Sequence, residues 1–207
     1  MKLVLIGIQG SGKGTQAGIL SSKYGIKHIN VGEIFRNNIK NETEIGKKIK
    51  EYVNNGKLVP DEIVIQMVKE VLDENENFIL DGFPRNINQA EFLVSNYHID
   101  KVVNLLLPDE ISKKRLLARR VCENCKADYN LIYKPPKKEG ICDICGGKLI
   151  RRKDDTEEAI QKRLDAFHKE TSPVIDFFKK KNLVVDIDAN QTIEQIEKEI
   201  VQKVGLK

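Results

Sequence analysis

The stretch Leu3-Val4-Leu5-Ile6-Gly7-Ile8-Gln9-Gly10-Ser11-Gly12-Lys13-Gly14-Thr15 decides the reading of this chain. Four apolar residues read as a buried strand, glycines break it, and residues 15–24 carry a helical pattern. That is the layout of a phosphate-binding loop. Glycines leave the backbone N–H groups free to curl around a polyphosphate, and the helix N-terminus adds positive potential. Lys13 brings a point charge to the outer phosphates. The strict pattern has Ser or Thr directly after the lysine; here Gly14 intervenes and the hydroxyl comes with Thr15. The plain alternative is a glycine-rich turn that holds nothing.

Outward from this loop, short apolar runs recur at residues 28–29, 78–80, 102–107 and 183–187, separated by helical patterns. The alternation predicts an α/β fold of the P-loop NTPase type: a five-stranded parallel sheet with helices on both faces. Two stretches break the rhythm and read as lid inserts. One, at 30–59, is polar and helical, with Gly46 and Gly56 as breaks; the other, at 121–152, is irregular and holds all the cysteines. Residues 1–29, 60–120 and 153–207 then form the core. Such inserts belong on the carboxyl side of the strands, where ligands bind in open α/β sheets. Ser172-Pro173 reads as a cap and first turn, ending one helix and starting another.

At 207 residues the chain can bury roughly 70–75% of its unfolded surface. Met1-Lys2 leads straight into a strand, and no apolar run approaches the ~20 residues of a membrane span. The expectation is a cytoplasmic protein without a membrane partner. A net charge of +4 suits anionic nucleotides, but it is too small and dispersed to argue for duplex nucleic acid.

The four cysteines fall as Cys122-Glu-Asn-Cys125 and, sixteen residues on, Cys142-Asp-Ile-Cys145. Two such turns present four thiolates that close a tetrahedron around Zn²⁺, leaving no position for substrate, so the metal is expected to be structural. The competing reading is a zinc ribbon that docks nucleic acid or protein. Asp81 ends the apolar run at 78–80, placed to hold Mg²⁺ or its waters beside the loop. Arg115 and Arg119, four residues apart, read as one helix face. Arg152 sits where the cysteine insert returns, Arg163 lies further on, and Asp155 with Glu158 resembles a capping box. With Arg36 and Arg85 these make a clamp for several phosphoryl groups.

With these residues in hand, the chain resembles the adenylate kinases, within the nucleoside monophosphate kinases, in the long-lid form that carries zinc. Gly7–Thr15 is similar to the family's G-x-P-G-x-G-K-G-T, and Asn30-Val31-Gly32-Glu33-Ile34-Phe35-Arg36 to its S-T-G-D-x-x-R. Asp81-Gly82-Phe83-Pro84-Arg85-Asn86-Ile87-Asn88-Gln89-Ala90 is similar to D-G-F-P-R-T-x-x-Q-A, and Arg152-Lys153-Asp154-Asp155 to R-x-D-D. The resemblance implies reversible Mg²⁺-dependent transfer from ATP to AMP by a monomer. It implies that Gly10, Ser11, Gly12, Lys13, Gly14 and Thr15 hold the ATP phosphates, with Arg119 and Gln191 near the ATP base. Arg36 and Arg85 would hold the AMP phosphate, Gln89, Val31, Lys57 and Val59 would meet its base, and Gly82 would also contact AMP. Arg115, Arg152 and Arg163 would act on the transferring group, the last two also reaching AMP, and Asp154 and Asp155 would fasten the closed lid.

Four departures from the family pattern matter. Gln9 replaces a proline, Gln191 a frequent lysine, and Val31 with Glu33 the usual threonine and aspartate. The threonine hydroxyl helps select the acceptor base, and UMP/CMP kinases carry alanine there. A UMP/CMP or broad-specificity kinase is therefore the alternative, although those enzymes have short lids.

Overall fold

The computed structural model describes residues 1–152 and 154–206; Lys153, within the quoted R-x-D-D match, and Lys207 lie outside them. Five strands, β1 (Lys2–Gly7), β2 (Lys27–Asn30), β3 (Phe78–Asp81), β4 (Lys101–Leu106) and β8 (Val184–Asp188), pair in parallel in the order β2-β3-β1-β4-β8. Alternation along β1 explains why both faces are covered. Leu3 and Leu5 pack with Ala17 and Leu20 of α1 (Lys13–Tyr24) and Ile196 and Ile200 of α9 (Ile193–Val204). Val4 and Ile6 point the other way, toward α4 (Asp61–Asp73), α5 (Ile87–Asn96) and α8 (Ser172–Lys179), through Val68, Leu93 and Phe178. The chain leaves β1 for β2 and β3 on one side and for β4 and β8 on the other. The loop after β1 therefore sits at the topological switch point, where such sheets open a crevice.

The 30–59 segment forms α2 (Val31–Lys40) and α3 (Glu44–Asn54), each capped by its preceding side chain, Asn30 and Thr43. Gly46 is not a break. It lies inside α3, where a Cβ would stand 2.1 Å from the Asn38 carbonyl oxygen, so it is the point of closest approach between the two helices. Gly46→Ala should cost about 1–3 kcal/mol by forcing α2 and α3 apart, read as a lowered melting temperature. Gly56 does end its helix, at φ +68°.

The 121–152 segment, joined by Arg119 and Arg120 just before it, carries a small antiparallel sheet of β6 (Asp128–Asn130), β5 (Arg119–Cys122) and β7 (Leu149–Ile150), in that order. Three expectations are corrected nearby. First, α6 (Asp109–Leu117) ends before Arg119, which begins β5, so Arg115 and Arg119 do not share a helix face. Second, Thr156, not Asp155, caps α7 (Glu157–Ala166), through the Ala159 N–H; Asp155 is instead fully buried by ion pairing. Third, no helix ends at Ser172-Pro173. α7 runs through a π-helical turn, Phe167–Thr171, directly into α8, with Ser172 at helical φ −56° and ψ −43°. A wider turn accommodates the proline, whose missing N–H would otherwise interrupt the ladder.

Candidate active site

The loop after β1 turns at Gly10 (φ +81°) and Gly12 (φ +96°), conformations a side chain would resist, and delivers Lys13 as the first residue of α1. The Lys13 ammonium donates to the carbonyls of Gly7 (2.7 Å) and Ile8 (3.0 Å). Burial pulls its pKa down to about 8 against the attraction of Asp81, and the Arg85 and Arg119 charges pull the same way. Asp81 is 5% exposed at the end of β3. It lies in register with Asn30 of β2, whose Nδ2 donates to Asp81 Oδ2 at 2.7 Å. His28 Nε2 is 3.7 Å from the same oxygen.

All six arginines singled out in the sequence face one cleft of about 1210 Å³. Burial, reinforced by the Arg152 charge, lowers the Arg36 pKa to about 10. Arg85 donates from Nε to the Gly82 carbonyl at 2.8 Å, and burial lowers its pKa also. Arg115 donates to Ala189 O at 3.0 Å and stacks on Tyr133, 4.6 Å from the ring centroid. Arg119 grips Asp155 with two bonds, of 2.8 and 2.6 Å. Arg152 grips Asp154 at 3.1 and 2.9 Å; burial opposes its charge, but this carboxylate outweighs it and raises the pKa. Arg163 reaches Asp154 at 3.4 Å and Asp155 at 3.5 Å. Burial raises the Asp154 pKa, yet Arg152 and then Arg163 hold it far below the usual carboxylate range.

The same cleft is lined by Gly10 to Thr15, Val31, Lys57, Val59, Asp81, Gly82, Gln89, Asp154 and Gln191. Asp155 stands behind Arg119, and of the cysteines Cys122 alone touches the cleft. Eleven basic residues line it against five acidic ones, so charge dispersed along the chain is gathered in space. Among the described residues, the buried side-chain polar atoms without a partner are Gln9 Oε1, Ser11 Oγ, Gln16 Oε1, His28 Nε2 and Arg115 Nε. Every one belongs to a residue lining this cleft. Unpartnered buried polar atoms are costly unless a ligand or water meets them.

The four cysteine Sγ atoms lie within 4.8 Å of one another, with Cys122–Cys145 at 3.4 Å and Cys125–Cys142 at 3.5 Å. These separations are far too long for disulfides and near the ~3.8 Å edge of a tetrahedron with Zn–S bonds of about 2.3 Å. The Tyr129 hydroxyl, with the N–H groups of Cys145 and Ile144, pulls the Cys142 thiol down to about 6 against burial. Against the Ala127 N–H, the neighbouring sulfurs push Cys125 up to about 12. Four thiols this close cannot all ionise without a cation between them, and the donor set fits Zn²⁺. For Mg²⁺, the Asp81 carboxylate and the Thr15 hydroxyl face the same cleft as the loop, a hard-oxygen set suited to that ion.

Several contributors escape a reading of the sequence. Asn30 meets Asp81 only through strand register, and Thr171 Oγ1 donates to the Arg85 carbonyl at 2.8 Å across 86 residues. Tyr133 carries a weak signal, an aromatic in the cysteine insert, but nothing in the chain ties it to Arg115. Asp61 accepts from Gln89 Nε2 at 2.6 Å, and only the packing of α4 on α5 reveals it.

A family model described as adenylate kinase matches residues 5–183 of this chain. The adenylate kinase of Caldicellulosiruptor saccharolyticus is 48% identical over 215 residues, covering 100% of both chains. That of Acetivibrio thermocellus is 45% identical over 209 residues, covering 97% of this chain and 96% of its own. That of Archaeoglobus fulgidus is 47% identical over 208 residues, with the same coverage.

Proposed function

The chain belongs to the adenylate kinase family, and on that premise we propose that it interconverts ATP and AMP with two ADP in a Mg²⁺-dependent phosphoryl transfer. The observation that carries this reading is the convergence of six guanidinium groups, Lys13 and the loop amides on one cleft whose buried polar atoms lack partners. An acceptor phosphate is already anionic, so the reaction needs no strong general base. Its barrier lies in aligning two polyanions against their repulsion and neutralising the group in flight.

In this reading the loop from Gly10 to Thr15 and Lys13 cradle the ATP phosphates, with Arg119 and Gln191 beside the ATP base. Arg36 and Arg85, backed by Gly82, hold the AMP phosphate; Val31, Lys57, Val59 and Gln89 surround its base. Arg115, Arg152 and Arg163 converge on the transferring group, the last two also reaching the AMP phosphate. The lowered pKa values of Lys13, Arg36, Arg85 and Arg163, caused first by burial and then by neighbouring cations, support these roles, since a bound polyphosphate would offset both. Mg²⁺ supplies charge neutralisation and orientation of the phosphates, and Asp81 would hold it chiefly through water. The segments 30–59 and 121–152 act as lids over the core formed by 1–29, 60–120 and 153–207. Asp154 and Asp155 tie the second lid down through Arg152, Arg119 and Arg163, excluding water that would compete as acceptor. Zn²⁺ on Cys122, Cys125, Cys142 and Cys145 holds that lid together.

No helix among the described residues is long and apolar enough to cross a membrane. We take the enzyme to work as a monomer, because residues of one chain complete the cleft, and to work in the cytoplasm, where its nucleotide substrates are found. Of the aromatics of the zinc segment, Tyr129 is buried beside Cys142 and Tyr133, though half-exposed, stacks on Arg115 of the cleft, which favours a lid over a nucleic-acid docking module.

A coupled assay with ATP and AMP, CMP, UMP or GMP tests the reading. AMP should be preferred at least about tenfold in kcat/KM over CMP and UMP, a margin of about 1.4 kcal/mol. Equal turnover of UMP or CMP would transfer the assignment to a broader monophosphate kinase, with Val31 as the cause.

A further inference from the structure

Gln89 is 2% exposed and lines the acceptor end of the cleft. Both ends of that amide are already engaged. Oε1 accepts from the Arg85 backbone N–H at 2.8 Å, and Nε2 donates to Asp61 Oδ1 at 2.6 Å. A backbone N–H can only donate and a carboxylate can only accept. Turning the amide over would set donor against donor and acceptor against acceptor, so its polarity is locked.

Asp61 is itself held in place. It is the first residue of α4; Asn86 Nδ2 donates to its Oδ1 at 2.8 Å, and Asn88 Nδ2 reaches its Oδ2 at 3.4 Å. Asn86 also caps α5 by accepting from the Gln89 backbone N–H at 3.0 Å. The carboxylate thus joins the start of α4 to the start of the helix that carries Gln89. It does not line the cleft, so it acts on a ligand only through Gln89.

An amide used in this way keeps one N–H and one lone pair, in a fixed order. Adenine and cytosine offer the complement, a ring-nitrogen acceptor beside an exocyclic amino donor. Guanine and uracil offer the reverse, a keto oxygen beside a ring N–H. Val31, packed beside Gly82 and carrying no hydroxyl, adds nothing to this choice.

We propose that Asp61 is a positioning residue for acceptor selectivity: by locking the Gln89 amide it admits amino bases and turns away keto bases. The proposal rests on the reading of this end of the cleft as the nucleoside monophosphate site. Val31 makes it the more consequential, because the discrimination then falls on the amide.

The test measures kcat/KM for AMP, GMP, CMP and UMP at saturating ATP, for the wild type and for Asp61→Ala. The two informative quantities are the AMP:GMP and CMP:UMP ratios, each comparing an amino base with a keto base of the same ring size. Both should fall roughly fivefold or more in the variant, on the scale of one polar contact, through the acceptor KM and with the KM for ATP unchanged. Asp61→Ser, whose hydroxyl both donates and accepts and suits a first helical turn, should produce the same shift and serves if the alanine variant does not fold. Unchanged ratios in a folded variant, or an equal loss for all four acceptors, overturn the proposal by reducing Asp61 to a brace between helices. A wild type without AMP preference overturns the acceptor reading instead, and the two failures are told apart by which protein shows them.

Discussion

Lys13→Met should lower kcat/KM by several orders of magnitude, on the scale of 10²–10⁴ for loss of a charge aimed at the transferring group, with the melting curve little changed. The ammonium makes two bonds to loop carbonyls, but it is half-buried and its pKa is already depressed. Removing it relieves a half-buried charge even as it leaves the Gly7 and Ile8 carbonyls without their donor. Stability should therefore move far less than catalysis. Arg85→Ala should be as damaging but different in kind. Lys13 faces the phosphate loop, so its loss should weaken handling of ATP; Arg85 lies against Gly82 beside Val31 and Gln89, so its loss should raise the acceptor KM and lower kcat together. Steady-state kinetics with each nucleotide varied in turn separates these outcomes. Near-normal kinetics in either variant would remove that residue from the site.

Removal of zinc, or Cys142→Ser, should lower the melting temperature sharply while sparing much of the activity at permissive temperature. The segment's own core is Cys122, Tyr129, Cys142 and Leu149 with Ala127 packed on it, so two of its buried members are themselves metal ligands. A structural zinc is worth on the order of 10 kcal/mol to such small modules, far more than this cluster supplies. The purified protein should carry about one zinc per chain with every coordination position filled by sulfur, leaving none for a substrate oxygen. Metal analysis, calorimetry and turnover on the same sample check this. A zinc-free protein of equal heat stability that has lost all turnover would make the metal catalytic and end the reading of 121–152 as a metal-stapled lid.

Both predictions draw on features of very different legibility. The strand-loop-helix of residues 3–24 and the five parallel strands are local: apolar runs bounded by glycine and proline specify them, and each observed strand lies within two residues of its predicted run. The cysteine pairs are local as well, because a Cys-x-x-Cys turn brings its two sulfurs together whatever surrounds it. Gly46, Ser172-Pro173 and Asp155 read wrongly for the opposite reason. A glycine inside a helix looks like a break until a second helix is seen to need its missing Cβ. A Ser-Pro pair looks like a helix start until packing on both sides carries the helix through it as a π turn. An Asp three residues before a Glu looks like a cap until Arg119, 36 residues away in the chain, claims it.

The α/β class, the phosphate loop, the four-sulfur metal site and the identities of the charged residues are legible in the chain alone, since each depends on residue type and short spacing. That Arg36, Arg85, Arg115, Arg119, Arg152 and Arg163 share one cleft, which of them are already paired, and that Asp61 holds Gln89 emerge from the packed fold. Those facts depend on strand order, on where β5 begins and on how α4 meets α5. A long-range hydrogen bond is specified by the burial of whole elements against one another, and no spacing along the chain records it.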